Sequence, residues 1–372
     1  MKRKDGNPKR KAKRALPQFK YGFRNNPCSS RCFDIDCTQK QFSVMSFFSG
    51  CGGLDLGFTG GFSVFGKKYD RLPFRIIDAY DNLQDAVDCY QLNLGDHVHN
   101  VDLTAKHDFR EADILIGGFP CQDFSSAGPK TGFKGKRGKL YKVMLKYMLN
   151  YRPKIVVGEN VSYLSKLRDG QCLETIVKDF ESADYHFDVW ELHAQKYGVP
   201  QNRVRLIFVG VRNDIDGFPV EPIPTTPHAP FTISNAISDL ESVTDESVTN
   251  QSQFFIATKA TSGGGQGDNV NSPDKVAYCI RANSRGRIQF HYKLDRRLTV
   301  RECARIQTFP DEFVFQFTTQ RNLTLIGNAV PPILAHAIAK SIANFLKAKD
   351  SPHMDSPYIT RKRNFAFQGV LF

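Results

Sequence analysis

The chain has 372 residues, of which 41% are apolar and 24% charged, with a formal net charge of +13. These proportions are ordinary for a soluble globular protein, and the length predicts one large domain with a smaller one beside it. No stretch approaches a membrane span, and no apolar segment follows the basic N-terminus, so neither a membrane anchor nor a secretory signal is expected.

The first 24 residues hold ten Lys and Arg against Asp5 alone, so nine of the thirteen excess positive charges lie there. Residues 1–40 read as a basic flexible extension able to touch phosphate or merely to solubilise the chain. Nine cysteines (Cys28, Cys32, Cys37, Cys51, Cys89, Cys121, Cys172, Cys279 and Cys303) are an odd number without zinc or disulfide spacing. A reducing setting and no metal site are expected.

From residue 41 short apolar runs alternate with amphipathic ones. SVMSFF and FRIIDAY read as strands. In NLQDAVDCYQLNL, the residues Leu83, Ala86, Val87, Tyr90 and Leu94 recur at helical spacing. The strand ADILIG, the helix KLYKVMLKYMLNY, the strand KIVVGENV, the helix CLETIVKDFESA and the strands YHFDVWEL and VRLIFVGV follow. Strands separated by helix-length segments predict an α/β fold with a doubly wound, mostly parallel sheet over 41–212. Residues 213–296 lose that alternation and read as a second, smaller unit. The first domain resumes at 297–348 with a capping box, TVRE from Thr299 to Glu302, and a last helix, ILAHAIAKSIANFLK. Residues 349–372 form a tail.

The first strand runs into FFSGCGGLDLGF, where Gly50, Gly52 and Gly53 let backbone N–H groups approach a ligand. The spacing GxGG, rather than GxGxxG, favours a nucleoside cofactor smaller than a dinucleotide. Asp81, ending the second core strand, suits ribose hydroxyls; Asp102 could read an adenine amino group; Phe48 could lie against a sulfonium or purine, or simply pack.

In GGFPCQDFS, Pro120 stiffens the bend that presents Cys121 beyond a strand's carboxyl end. That is where ligands sit in open α/β sheets. A nucleophilic thiolate there needs cationic help, and Lys130, Lys134, Lys136, Arg137 and Lys139 follow in a glycine-studded loop. Glu159 of GENV emerges at the same edge as a candidate acid. In QNRVRL the residues Gln201, Arg203 and Arg205 alternate on one strand face.

The ordered motifs FFSGCGG, EADILIGGFPCQDFS, GENV, QNRVRL, RLTVRECARIQTFPDEF and IGNAVPP resemble those of the cytosine-5 DNA methyltransferases. The resemblance extends over 43–346 apart from 213–296. It implies that Cys121 attacks C6 of a flipped cytosine in duplex DNA, that Glu159 protonates N3, that Arg203 braces the adduct and Glu159, and that Arg205 lies near the pocket. It also implies S-adenosyl-L-methionine as methyl donor, held by Phe48, Gly50, Gly52, Gly53, Asp81, Asp102, Asn328 and Val330. Residues 213–296 would read the DNA target, with Gln201, Arg281, Arg285 and Arg287 as DNA contacts. By the same analogy the protein is a cytoplasmic, nucleoid-associated monomer that protects DNA from a cognate restriction endonuclease. The alternatives are a tRNA cytosine-5 methyltransferase and a silent DNA-binding module of this fold. The motif FPCQDFS favours DNA over tRNA, and the presence of both Cys121 and Glu159 disfavours a silent module.

Overall fold

In the computed structural model, the strand Phe42–Phe47 (β1) leads into a seven-residue helix, Gly53–Thr59 (α1), through the glycine loop. The structure describes residues 41–120, 140–252, 269–282, 288–349, 357 and 359–360. The basic extension, Cys121, the lysine-rich loop, Arg285 and Arg287 lie outside them.

A hairpin follows, Phe62–Val64 (β2) and Lys67–Tyr69 (β3). Its two turn residues, Phe65 and Gly66, have φ of 53° and 71°. Phenylalanine is a poor residue for positive φ, so the sequence carries no hairpin signal here. Its ring packs on Phe231 with centroids 4.6 Å apart, a contact 166 positions away in the chain.

Phe74–Asp81 (β4), Gln84–Leu94 (α2), Val98–Asn100 (β5), Ile114–Gly117 (β6), Tyr141–Tyr151 (α3), Ile155–Val161 (β7), Gln171–Glu181 (α4), Tyr185–His193 (β8) and Val204–Arg212 (β9) then complete the expected alternation. The main sheet has seven strands in the order β5-β4-β1-β6-β7-β9-β8. All pairings are parallel except those of β9, which runs antiparallel to both β7 and β8. The strand order reverses between β1 and β6, and that switch point places a crevice at the carboxyl edge.

Alternate residues of each central strand feed two cores. Val44, Ile114, Ile116, Val157 and Val209 face α1 and α2, whereas Met45, Phe47, Leu115, Val156 and Phe208 face α3 and α4. Strands buried on both faces read as unbroken apolar runs, as in ILIG.

Beyond β9 come Phe218–Pro219 (β10), Ile233–Ile237 (α5), Asn269–Val270 (β11), Gln289–Phe290 (β12), Val300–Ile306 (α6), Thr319–Asn328 (α7), Pro332–Lys349 (α8) and Ile359–Thr360 (β13). The described part of 213–296 sends Phe218, Ile233, Ile237, Leu240, Ala277 and Ile280 into the core beneath α1 and α8. Thr299 caps α6 as expected: the Glu302 N–H donates to Thr299 Oγ1 at 3.0 Å, and the Thr299 N–H donates to Glu302 Oε2 at 2.8 Å.

One expectation needs correction. The helical run Thr319–Lys349 is long and apolar enough to cross a bilayer, yet 78% of its most apolar stretch is buried inside the protein. It is a core element, broken at Pro331 and packed along α1.

Helices α1 and α8 meet at Gly57, where an added Cβ would stand 2.6 Å from the Pro332 carbonyl oxygen and 2.8 Å from the His336 nitrogen. These neighbours are backbone and cannot swing aside. Gly57→Val is expected to cost about 2–3 kcal/mol of stability and to lower the thermal midpoint by several degrees. An unchanged melting curve would show that the two helices are not locked at this contact.

Candidate active site

A cavity of about 530 Å³ opens at the carboxyl ends of β1, β4, β6 and β7. Its first wall is the glycine loop, with φ of 55° at Phe48 and 56° at Gly50. The Gly50 N–H donates to Asp81 Oδ2 and the Leu83 N–H to Asp81 Oδ1, both at 2.9 Å. These bonds aim the carboxylate and leave each oxygen a lone pair for a hydroxyl. Burial nevertheless raises the Asp81 pKa, outweighing the backbone N–H groups that lower it.

Phe48, Gly50 and Gly53 line the cavity, and among the described residues, its chain neighbours aside, none comes within 4 Å of a Cβ built on Gly50. Ser49 lines it too; its Oγ is buried and has no hydrogen-bond partner among the described residues. Gly52 is corrected: it lies outside the lining. Its N–H donates to the Ser49 carbonyl at 3.0 Å, and a Cβ there would meet the Tyr90 ring at 2.9 Å. The absence of a side chain here lets α2 close against the loop.

Beneath the loop, Asp55 accepts hydrogen bonds from Ser46 Oγ and Tyr90 Oη, both at 2.8 Å. Burial pushes its pKa up to about 6 against these donors. Since the folded value is raised, the stabilising contribution is complete only well below that pH and is lost as pH rises through about 6.

The second wall carries the acid. Glu159, near the end of β7, is 9% exposed, and Arg205 Nε stands 2.6 Å from its Oε1. The antiparallel register of β7 and β9 sets Val161 opposite Arg205 and Glu159 opposite Ile207, which makes Glu159 and Arg205 diagonal neighbours. A Cβ on Gly118 would lie 3.3 Å from Glu159 Oε2, so the residue leaving β6 must be small for the carboxyl to sit there. The strand leads through Phe119 and Pro120, both in the lining, toward Cys121, which follows the described stretch 41–120 and lies outside it.

Arg203 does not brace Glu159, and that expectation is corrected. Its guanidinium is 2% exposed and donates to the carbonyls of Ile280, Gly327 and Ala329 at 3.0, 3.1 and 2.8 Å. Burial, then the neighbouring Arg205 charge, lowers its pKa to about 10, which leaves it charged at neutral pH.

Gln201, expected at DNA, is fully buried; its amide donates to the Ile306 carbonyl at 3.0 Å and to Gln307, and its carbonyl accepts from the Ile280 N–H at 3.2 Å. Asp102 lies outside the lining and exposed, its Oδ1 accepting from the N–H and hydroxyl of Thr104 at 2.9 and 2.7 Å. Asn328 and Val330, at the joint of α7 and α8, form the far wall. Arg281 is exposed.

The sequence reading passed over Ser49 and Asn160, although both stand inside the motifs it singled out. Asn160, 2% exposed, donates from Nδ2 to the Phe119 carbonyl at 3.1 Å. The signal available was only adjacency to Glu159.

A family model described as C-5 cytosine-specific DNA methylase matches residues 42–282 and 263–344. Type II methyltransferase M.BsuRI of Bacillus subtilis is 32% identical over 363 residues, covering 84% of this chain and 81% of its own length. Type II methyltransferase M.BspRI of Lysinibacillus sphaericus is 33% identical over 367 residues, covering 84% of each. Among solved structures, a putative DNA modification methyltransferase encoded within an E. coli prophage superposes with TM-score 0.64 at 20% identity, covering 82% of this chain and 100% of its own. Entamoeba histolytica methyltransferase EhMeth gives 0.61 at 17% identity, covering 83% and 99%. At those identities the superpositions speak for the fold alone, and it is the family model and the curated relatives that show the chain to be a member of the C-5 cytosine-specific DNA methylases.

Proposed function

We propose that this cavity binds S-adenosyl-L-methionine beside a cytosine turned out of duplex DNA, and that the enzyme methylates C5 of that base within a short target sequence. The observation that carries the proposal is the buried carboxyl of Glu159, paired with Arg205 at 2.6 Å, in the same cavity as Asp81, Phe48 and Asn328. An acid is thereby set on one wall and nucleoside-binding groups on the other.

The donor set fits the cofactor. Asp81 offers acceptors for ribose hydroxyls, Phe48 a ring face, Ser49 an unused hydroxyl, and Asn328 and Val330 an amide and an apolar edge. S-adenosyl-L-methionine supplies a methyl group made electrophilic by its sulfonium. Cytosine C5 is a weak nucleophile, so this chain must make it a stronger one. Cys121, as thiolate, bonds to C6; the C5–C6 electron pair shifts toward C5, and Glu159 holds a proton at N3 so that the ring accepts the charge. Arg205 keeps the Glu159 carboxyl oriented. After methylation, the C5 proton passes to solvent water, the C5–H electron pair re-forms the C5–C6 double bond, and the Cys121 thiolate leaves C6. Turning the base out costs a few kcal/mol, offset by contacts in the pocket.

Residues 213–296, with Arg281, Arg285 and Arg287, read the target, and the lysines of 130–139 meet phosphate. By analogy with Type II relatives, the monomeric enzyme would work in the cytoplasm on nucleoid DNA, beside an endonuclease acting on the same site.

Cys121→Ser should abolish methyl transfer to unmethylated genomic DNA while cofactor and DNA binding persist; retained turnover would remove Cys121 from the mechanism. Asp81→Asn should weaken S-adenosylhomocysteine binding in calorimetric titration by roughly 10–100-fold, the loss of a charged acceptor worth about 1.5–3 kcal/mol. DNA affinity should fall steeply between about 50 and 200 mM salt through counterion release. A flat salt dependence would count against phosphate contact by the basic residues. Label recovered as 5-methylcytosine in tRNA and not in DNA would overturn the substrate assignment.

A further inference from the structure

We infer that Asn160 is a positioning residue for the nucleophile, its side-chain amide holding the Phe119 carbonyl, and so the entry to Cys121, in register with Glu159. The inference rests on the reaction proposed above and assigns a part to a residue that touches neither base nor methyl donor in it.

The parallel ladder between β6 and β7 ends at the pair Gly117 and Gly158. Continued by two residues, it would set Phe119 against Asn160. It does not continue through backbone groups, because the Val161 N–H, the donor that this register would offer to the Phe119 carbonyl, goes to Asn160 Oδ1 instead, and Pro120 has no N–H to extend the ladder from its own side. The Asn160 side chain supplies the missing donor: Nδ2 donates to the Phe119 carbonyl at 3.1 Å, and the bond is buried. The amide cannot rotate to offer oxygen instead, since its Oδ1 accepts the Val161 N–H at 2.8 Å.

The Phe119 ring is fixed independently. It packs against Phe208 with centroids 5.5 Å apart and edge-on to Phe180 at 6.3 Å, and a Cβ on Gly158 would stand 3.1 Å from it. With the ring anchored, the remaining freedom is rotation of the Phe119–Pro120 peptide plane. That rotation would redirect the chain where it leaves Pro120 toward Cys121, and the Asn160 amide opposes it. Neighbours in one strand therefore carry the acid and the restraint on the nucleophile. A misplacement of about 1 Å at a reacting centre can lower a rate on the order of 100-fold.

The test compares wild type, Asn160→Asp and Asn160→Ala in single-turnover transfer of labelled methyl to unmethylated genomic DNA across pH. Cofactor affinity and thermal midpoint are measured alongside, because Asn160 also borders the cavity that holds Asp81, Glu159, Arg203 and Arg205. Both variants should lose about 10–100-fold in rate at high pH, with cofactor affinity and folding retained. Asn160→Asp sets a carboxylate oxygen against the Phe119 carbonyl when ionised but can donate when protonated. Its rate relative to wild type should therefore recover as pH falls, and that of Asn160→Ala should not.

Wild-type rates in both variants, parallel loss of cofactor affinity or of folding, or identical pH profiles for the two would each overturn the positioning role. A wild type that methylates no DNA would instead overturn the reaction on which the inference stands.

Discussion

A single buried guanidinium organises the site. Arg203 lies just before β9 and donates to three carbonyls from distant parts of the chain: Ile280, Gly327 and Ala329. Ile280 lies within residues 213–296, and Ala329 on the cavity's far wall. A buried cation without partners is strongly unfavourable, so the carbonyls must converge on it. Removing it would take a charged donor from each of those buried carbonyls, so neither side of the arrangement can relax without the other. Gln201 and Gln307 extend the same hub, with the Gln307 amide donating to the carbonyls of Ile326 and Ala329. The result is a polar knot that sets the wall bearing Asn328 and Val330 against the sheet edge bearing Glu159.

A second knot does similar work nearby. Glu302 caps its own helix, accepts Arg296 through both oxygens at 2.7 and 2.8 Å, and faces His291 Nε2 at 3.8 Å. His291 accepts at Nδ1 from the N–H groups of Lys293 and Leu294, so the neutral ring carries its proton on Nε2, toward Glu302. Burial lowers the His291 pKa against the pull of that carboxylate. The motif RRLTVRE thus anchors the return from the variable region. Its charges serve the fold, whereas the Arg205 and Glu159 pair, 12% exposed on each side, faces the cavity.

The sheet makes this economical. Because the strand order reverses between β1 and β6, the loops after β1, β4, β6 and β7 converge with no special connection. Close backbone approach holds them: a Cβ on Gly117 would stand 2.7 Å from the Phe47 carbonyl oxygen. Strand ends carry Asp81, Glu159 and Asn160 to the cavity, and the glycine loop carries Phe48, Ser49 and Gly50.

Much of this is legible in the chain itself, because local rules act within a few residues. Apolar runs set the strands, three-and-four spacing sets α2 and α4, Thr299 and Glu302 start α6, and the order of motifs places an acid and a proline-cysteine bend at one sheet edge. What the sequence could not decide was the partner of each polar side chain. Arg203 and Arg205 have the same chemistry two positions apart, and only the antiparallel register of β7 with β9 pairs Arg205 with Glu159 and leaves Arg203 to the carbonyls. Gln201 and Gly52 likewise look ligand-facing in a motif and prove to be packing residues once Gln307 and Tyr90 arrive from elsewhere. The sequence by itself determined the elements and the kinds of chemistry available, since both follow from local periodicity and residue type. Tertiary structure decided which side chains remain free for that chemistry, because buried polar groups must find partners wherever the fold brings them.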